Sequence, residues 1–276
     1  IQQADGSFEN GAVEAGVDFY DNSTCALFVD FDNDGDQDLA LASTDGLAIL
    51  ENDSKGNFTL KKLHREVRYC YSLCAADFDK DGLVDIYACR YYGNQSVQKG
   101  QHAVQGNIPV PHPVYDARNG GRNILLKNGG SLKFSDVTQA SGLNQQNNRF
   151  SYAAIADDFD NDGDQDIYVA NDFGQNNYYR NDNGSFIEMT AELGLSASEF
   201  SMGACSGDFN ADGKMDIHVS NMFSSAGSRV TRQRAFKPES GNAIHEKFKS
   251  LAKGNALSIN QGNGSFKTAS DAAGIT

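Results

Sequence analysis

Four copies of one acidic pattern, D-x-[DN]-x-D-G-x-x-D, are the residues of this chain best suited to chemistry. Each copy offers side-chain oxygens at positions 1, 3, 5 and 9 and a backbone carbonyl at position 7. Calcium, a hard cation with about six to eight oxygen ligands, fits this spacing. We therefore predict about four Ca²⁺ ions, one per loop. The predicted ligands are Asp30, Asp32, Asp34, Asp36 and Asp38; Asp77, Asp79, Asp81, Leu83 and Asp85; Asp158, Asp160, Asp162, Asp164 and Asp166; and Asp208, Asn210, Asp212, Lys214 and Asp216.

The residues after each loop distinguish the pattern from an EF-hand. The glycine at position 6 permits the positive φ of a tight turn around an ion. An EF-hand also needs a glutamate at position 12 and a following helix. Here position 12 is Leu41, Ala88, Val169 or Val219, and the flanks are strand-like. The pattern therefore predicts loops between β-strands. Solvated turns without metal are the alternative, but fourfold recurrence of such mutually repelling carboxylates argues against it.

A second marker shows that the loops belong to a repeat. It is a short turn that ends in Phe8, Phe58, Phe134, Phe186 or Phe266, and each acidic loop begins 19 to 24 residues after such a phenylalanine. Four short strands in about 45–50 residues are typical of a β-propeller blade. Parallel β-helices, which bind calcium through shorter repeats, fit less well. The predicted fold class is all-β, a β-propeller of four-stranded blades with calcium-binding loops.

The markers also predict the organisation of the chain as one partial propeller over residues 1–276. The predicted parts are an orphan outer strand at 1–18 and blades at 19–63, 64–144, 145–195 and 196–276. Insertions at 91–121 and 222–253 lengthen the second and fourth blades. Because the last unit has its own outer strand, we expect a piece of a longer array that assembles with further blades or subunits. A closed four-blade ring is the alternative.

The charge balance excludes some functions and favours one location. The net charge is −14, and four Ca²⁺ ions would bring it to −6. A general nucleic-acid binder needs a basic face, so no nucleic-acid partner is expected. No apolar run approaches the ~18 residues of a membrane span. Since weak calcium loops fill at extracellular calcium concentrations, we expect an extracellular, cell-surface or periplasmic protein.

The five cysteines do not indicate a disulfide framework, because an odd number cannot pair fully. When the units are aligned, Cys74 takes the position of Leu27, which predicts a core position that a free thiol fills. A bridge between Cys70 and Cys89 is the alternative.

The acidic loops in this strand context resemble FG-GAP/VCBS repeats, the blades of integrin-α propellers. The segment 171–181, NDFGQNNYYRN, is similar to the family pattern after its calcium loop. The segment 221–229, NMFSSAGSR, resembles the cartilage-acidic-protein and UnbV-like secreted proteins. The resemblance implies a calcium-stabilised propeller outside the cytoplasm, commonly of seven blades. It implies the same calcium ligands, namely Asp30, Asp32, Asp34 and Asp38 and their counterparts in the other loops.

Two features depart from that family pattern. The Gly-Ala-Pro half of the FG-GAP name is absent from every unit. The fourth loop has Asn210 at position 3 and Lys214 at position 7. A position that ligates through its carbonyl tolerates lysine, but the loop has one negative charge fewer at position 3. We therefore expect the fourth calcium site to be the weakest.

The first insertion contains the candidates for acid–base chemistry. His102, His112 and Tyr115 lie in it together with Asp116 and Arg118. Histidine or tyrosine beside a carboxylate can act as a general base. A proline-stiffened loop that covers a blade edge is the interpretation that we favour, so no catalytic residue is assigned.

The second insertion is basic and contains a predicted helix. Residues 243–252 place Ile244, Phe248 and Leu251 at helical spacing. The basic residues fit an acidic polysaccharide or an acidic protein surface, or else they compensate the chain's own acidic loops. They are Arg229, Arg232, Arg234, Lys237, Lys247, Lys249 and Lys253.

Three functions therefore remain open from the sequence. The favoured one is a calcium-binding recognition or adhesion module that binds a protein or an acidic glycan through the two insertions, because propeller function usually lies on loops. A polysaccharide lyase or lectin on the same scaffold is the first alternative. A structural subunit of a cell-surface assembly is the second. Enzymatic activity stays undecided, with the non-enzymatic reading favoured.

Overall fold

The computed structural model describes residues 2–19, 21–93, 110–222, 225–233, 235–262 and 264–274. These residues form four antiparallel sheets of four strands each, which confirms the predicted four-stranded unit. Sheet 1 contains β1 (Ser23–Val29), β2 (Asp38–Ser43), β3 (Leu47–Asn52) and β4 (Phe58–His64). Sheet 2 contains β5 (Cys70–Ala76), β6 (Asp85–Arg90), β7 (Ile124–Asn128) and β8 (Phe134–Asp136).

Sheets 3 and 4 repeat this arrangement. Sheet 3 contains β9 (Phe150–Asp157), β10 (Asp166–Asp172), β12 (Asn177–Asp182) and β13 (Ser185–Glu188). Sheet 4 contains β15 (Ser201–Gly207), β16 (Asp216–Asn221), β17 (Ala256–Asn260) and β18 (Phe266–Thr268). A small two-stranded sheet pairs β11 (Gly174–Gln175) with β14 (Ser198–Glu199). The helices are α1 (Ser225–Thr231), α2 (Asn242–Leu251) and α3 (Ser270–Ala273).

Sheets 2 and 3 each pack between two neighbouring sheets, and sheet 1 packs between sheet 2 and the N-terminal segment, so these sheets are apolar on both faces. Successive residues of a strand point to opposite faces. In β2, Ala40 and Ala42 lie in the core shared with sheet 2, whereas Leu39 and Leu41 face a second cluster that contains Val17. The first strands of successive sheets lie next to one another. Such a side-by-side arrangement fits propeller blades, and ring closure and total blade number stay predictions.

The phenylalanine at position 2 of each of the first three acidic loops packs into the next sheet. Phe31 contacts Phe134 with ring centroids 5.5 Å apart. The two equivalent pairs, Phe78–Phe186 and Phe159–Phe266, are 5.7 and 6.2 Å apart. Burying such a ring stabilises by about 1.5–3 kcal/mol. The fourth loop has no following sheet in the described part, and Phe209 is 52 % exposed.

One asparagine near the end of the third strand joins neighbouring units in sheets 2, 3 and 4. Asn181 Nδ2 donates to the Phe78 carbonyl of the preceding loop at 2.8 Å and to the Gln165 carbonyl of its own loop at 3.0 Å. Asn128 and Asn260 make the equivalent pairs of bonds. Each acidic loop of sheets 1 to 3 is therefore bonded to the next unit through its backbone.

The N-terminal segment packs on sheet 1 as the end of a preceding unit would. The Phe58 N–H donates to the Ala15 carbonyl at 2.8 Å, as the Phe186 N–H does to the Ser141 carbonyl at 2.7 Å. Gly16 is required here, because a Cβ would lie 2.6 Å from the Phe58 oxygen and φ is +71°. Within residues 2–18, described β pairing is an isolated bridge between Gln2 and Phe8. The predicted orphan outer strand is thus reduced to this single bridge.

The cysteines are all free, so the alternative of a Cys70–Cys89 bridge is wrong. In the ladder, Cys70 faces Arg90 and Cys89 faces Ser72, which places the two thiols at different positions along the strand pair. Burial raises the pKa of both thiols well above the usual range. Among the described residues, no helix has the length and apolarity to span a membrane.

Candidate functional site

All four acidic loops connect the first strand of a sheet to the second, as predicted, and they share one hydrogen-bond pattern. In the first loop, Asp30 accepts hydrogen bonds from the Asp34 N–H at 3.2 Å and the Gly35 N–H at 3.0 Å. The same bonds recur at Asp77, Asp158 and Asp208. The glycines at position 6 have φ between +83° and +94°, which explains why glycine occupies that position.

Three of the loops bring carboxylates into one cluster. Within each cluster the ligand-competent oxygens lie within 4.8 Å of one another. The clusters are Asp30, Asp32 and Asp38; Asp77, Asp79 and Asp81; and Asp158, Asp160 and Asp162. Burial and the neighbouring charge of Asp34 raise the pKa of Asp32. Such a set is costly unless a cation or protons neutralise it.

The first loop fits a calcium ion well. Asp32 Oδ1 and Asp36 Oδ1 are buried, and neither has a hydrogen-bond partner among the described residues. Glu51 lies close enough to add a further negative charge beside Asp32. Unpaired buried oxygens in an acidic cluster are the groups that a hard cation would satisfy.

The aspartate at position 9 has a structural role that the sequence did not reveal. Asp166 is fully buried, with Oδ1 accepting from the Asn181 N–H at 2.8 Å and Oδ2 from the Tyr178 hydroxyl at 2.5 Å. Asp38, Asp85 and Asp216 likewise accept a hydrogen bond from the backbone N–H of the asparagine at the end of the third strand in their own sheets. Burial raises the pKa of Asp85 to about 6 and that of Asp166 to about 7. This residue therefore ties each loop to its own third strand.

Each of the other three loops has a described ion pair with a lysine, and no such pair is described for the first loop. Lys127 pairs with Asp79 and Asp81 in the second loop. Lys80, from the same loop, pairs with Asp164 of the third loop at 2.5 Å. In the fourth loop, Lys214 Nζ lies 3.1 Å from Asp212 Oδ2. The four loops are therefore unequal as cation sites.

The two insertions meet at the opposite end of the sheets. Asp116 of the first insertion accepts from Lys247 of α2 at 3.3 Å and from Arg149 at 2.8 Å. The rings of Tyr115 and Phe248 are 5.3 Å apart, and Lys247 Nζ lies 5.7 Å from the centre of the Tyr115 ring. The predicted helix is confirmed as α2, and it forms one surface with the first insertion. We call Tyr115, Asp116, Lys247 and Phe248 the insertion contact.

Arg149 anchors this contact, and sequence reasoning missed it. Its side chain is 2 % exposed and is held by Asp116. Burial alone would raise the pKa of Asp116, but the hydrogen bond and charge of Arg149 lower it. The Ala117 N–H adds a backbone bond to the Phe173 carbonyl at 2.8 Å. Residues next to the strands of sheet 3 therefore hold the insertion contact in place.

The acid–base candidates are not assembled in the described part. His112 is exposed, and its backbone N–H donates to Asn119 at 3.1 Å. Tyr115 packs on Phe248, and Asp116 is occupied by its basic partners. His102 lies outside the described residues.

Two basic residues of the second insertion, Lys247 and Lys249, pair with carboxylates outside the acidic loops. The loops follow the first strand of a sheet, whereas the insertions follow the second, so β10 with its seven residues separates the two ends by about 20 Å. Lys247 pairs with Asp116, and Lys249 pairs with Glu246 at 2.7 Å. Arg234 lies outside the described residues. For Lys247 and Lys249 the alternative of compensating the loops is wrong.

An aromatic group beside the insertions was also missed. The Tyr91 hydroxyl donates to Asp172 at 2.7 Å, and burial raises the pKa of Asp172 to about 6. The Tyr91 ring lies 5.1 Å from Tyr71 and 5.2 Å from Phe150. The consecutive tyrosines that follow β6 were the available signal.

One family model and several solved structures are similar to this chain. The family model is that of the FG-GAP-like repeat, and it matches residues 30–88 and 158–219. No curated protein sequence matches the chain. One similar solved structure is an Agrocybe aegerita lectin with specific recognition of non-reducing terminal N-acetylglucosamine; it shows 16 % identity over 92 % of this chain and 54 % of its own, with a TM-score of 0.45. Another is the V. cholerae biofilm matrix protein Bap1, with 16 % identity over 88 % and 27 % and a TM-score of 0.39. The chain thus spans about half the length of the lectin and about a quarter of the matrix protein.

Proposed function

We propose that this chain is a calcium-stabilised β-propeller module that recognises an acidic glycan or a protein outside the cytoplasm. The observation that carries the proposal is the separation of two ends. Acidic loops lie at one end of the sheets, and two insertions that contact each other through Lys247 and Asp116 lie at the other. We also propose a relationship to the cartilage-acidic-protein and UnbV-like proteins, because segment 221–229 resembles a segment of theirs.

Calcium would stabilise the fold and would not itself contact the recognised glycan or protein. In the first loop the cluster leaves Asp32 Oδ1 and Asp36 Oδ1 without partners, and the loop backbone is bonded to the next unit through Asn128. An ion held by Asp30, Asp32, Asp34 and Asp38, with the position 7 carbonyl, would supply the positive charge that these oxygens lack. Rigid loops then hold the sheets that carry the insertions.

The proposed class of binding partner rests on the charge of the second insertion. In a chain of net charge −14, the second insertion is locally basic, and Arg232 and Lys237 are exposed there. Lys237 lies 4.6 Å from the centre of the Phe248 ring, so charge and aromatic surface adjoin. Acidic glycans and acidic protein surfaces are complementary to such a patch.

The test is co-sedimentation with acidic and neutral polysaccharides. Because the contacts are electrostatic, binding to an acidic polysaccharide should weaken with salt, and the Arg232→Glu, Lys237→Glu double variant should lose about tenfold in affinity or more. The matched control is Lys62→Glu with Lys267→Glu, the same charge change on the exposed outer strands β4 and β18.

Two outcomes would change the proposal. Equal binding by both double variants would remove the insertions as the recognition surface. Rising ultraviolet absorbance from unsaturated uronate in the same tubes would make the protein a lyase instead. Absence of binding to every polysaccharide would leave acidic protein partners as the ligand class, to be tested with the same variants.

A further inference from the structure

The second acidic loop receives an ammonium group from a neighbouring strand, at the carboxylates where the first loop would place a metal ion. Lys127 lies on β7, the third strand of sheet 2. Its Nζ pairs with Asp79 and, at 2.9 Å, with Asp81 Oδ2. These carboxylates occupy positions 3 and 5 of the loop, and with Asp77 they form the cluster whose oxygens lie within 4.8 Å of one another.

The equivalent residue differs in every unit. Lys127 precedes Asn128, and the residues that precede the corresponding asparagines are Glu51, Arg180 and Ile259. Glu51 pairs with Lys61 at 2.5 Å on the outer strand β4. The same strand position therefore places a carboxylate with its own partner beside the first loop and an ammonium group beside the second.

The charge around the two loops differs accordingly. The first loop has five aspartates, with Glu51 beside them and no lysine or arginine within the loop. The second has four aspartates and contains Lys80, and it receives Lys127. An ammonium group offers three donors and no acceptor, so it can bind several carboxylate oxygens at once.

An ion and the ammonium group cannot share this cluster. Calcium binds carboxylate oxygens at about 2.3–2.6 Å, and like charges at such separations repel strongly. The Lys127 side chain is 34 % exposed, so it reaches the loop over the surface of sheet 2 without being fully buried. Asp79 Oδ1 is buried and stays without a partner, which leaves an oxygen for a metal once the lysine is removed.

We infer that Lys127 is a built-in counter-cation of the second loop, so that this loop is neutralised without calcium. The inference rests on the proposed calcium binding by the other loops. It places the second loop beside the fourth, whose Lys214 pairs with Asp212, among the loops that compete least well for calcium. It also means that the number of bound ions is smaller than the number of acidic loops.

The experiment counts calcium by equilibrium dialysis and metal analysis, with isothermal titration calorimetry for affinity. The proteins are the natural chain, Lys127→Met, and the matched control Lys133→Met, which removes an exposed lysine from the turn before β8. Lys127→Met should bind one further calcium ion per chain, or bind one ion at least about tenfold more tightly. Lys133→Met should behave as the natural chain does.

A second variant ties the additional ion to this loop. Adding Asp81→Asn to Lys127→Met should remove the additional ion again, while far-ultraviolet circular dichroism verifies that each protein is folded. Equal, non-zero counts and affinities in the natural chain and Lys127→Met would overturn the role of Lys127 alone. Absence of calcium from all of the proteins would overturn the proposed calcium stabilisation and this inference with it.

Discussion

Replacing Asn181 with alanine is expected to lower the free energy of unfolding by about 3–5 kcal/mol. The side chain is fully buried and serves three backbone groups, namely the carbonyls of Phe78 and Gln165 and the Gly184 N–H. Each buried polar group left unpaired costs about 1–3 kcal/mol. Chemical denaturation in the presence of calcium measures the loss.

The chain offers a matched control at its first unit. Asn52 has the same position in sheet 1, but it is only half-buried, and its side-chain amide donates to the Gln37 carbonyl of its own loop. The described residues before it include no preceding acidic loop. Asn52→Ala should therefore cost about 1 kcal/mol. Equal losses in the two variants would show that the bond to the preceding unit contributes nothing.

Chelation of calcium is expected to lower the melting temperature at pH 8 by at least about 10 °C. An ion present at one hundred times its dissociation constant stabilises the folded state by about 2.7 kcal/mol. For a domain of this size, each kcal/mol shifts the melting temperature by about 2–4 °C. Two or three filled loops are enough for the expected shift, which differential scanning calorimetry measures.

The pH dependence should have opposite signs with and without calcium. Without the ion, burial raises the pKa of Asp166 to about 7 and that of Asp85 to about 6, above the ordinary value of 3.8. The folded state then binds more protons than the unfolded state, so stability falls as pH rises from about 4 to 7. In chelator, acidification from pH 8 to 5.5 should therefore raise the melting temperature. In calcium, the same acidification should lower the melting temperature, because protons compete with the ion for the same carboxylates.

Asp172→Asn is the control for this pH experiment. Its carboxyl also has a pKa raised to about 6 by burial, but it lies at the insertion end and accepts from Tyr91. The Asp172→Asn substitution should change the slope of melting temperature against pH by the same amount in calcium and in chelator. A melting temperature with the same pH slope in both conditions for the natural chain would contradict a role of the loops in binding calcium.

The features predicted from the sequence are those set by local spacing. The phenylalanine turns lie at the start of the outer strands, as at Phe58 and Phe134, because a turn followed by an apolar residue is a local signal. The helix α2 follows from the spacing of Ile244, Phe248 and Leu251. The spacing of the aspartates within each nine-residue loop likewise predicted that their carboxylates lie close together.

The features that the sequence did not predict depend on contacts between distant residues. Lys247 and Asp116 are 131 residues apart, and Lys127 and Asp79 are 48 apart. Which of two strand faces a lysine occupies, and which loop it then reaches, depends on the register between strands. The buried Arg149 gave no signal either, because an arginine at the start of a strand is usually exposed.

The insertions belong to alternate units, and this makes their contact sensitive to repeat number. Sheet 3 lies between them, and its short connection from β10 to β12 binds the first insertion through Phe173. Duplicating the unit of sheet 3 would leave every acidic loop in place, and an asparagine would still join each pair of neighbouring units. It would nevertheless move Lys247 away from Asp116 by the width of one sheet, and the insertion contact would be lost. A change in repeat count would therefore remove the surface on which the proposed recognition depends.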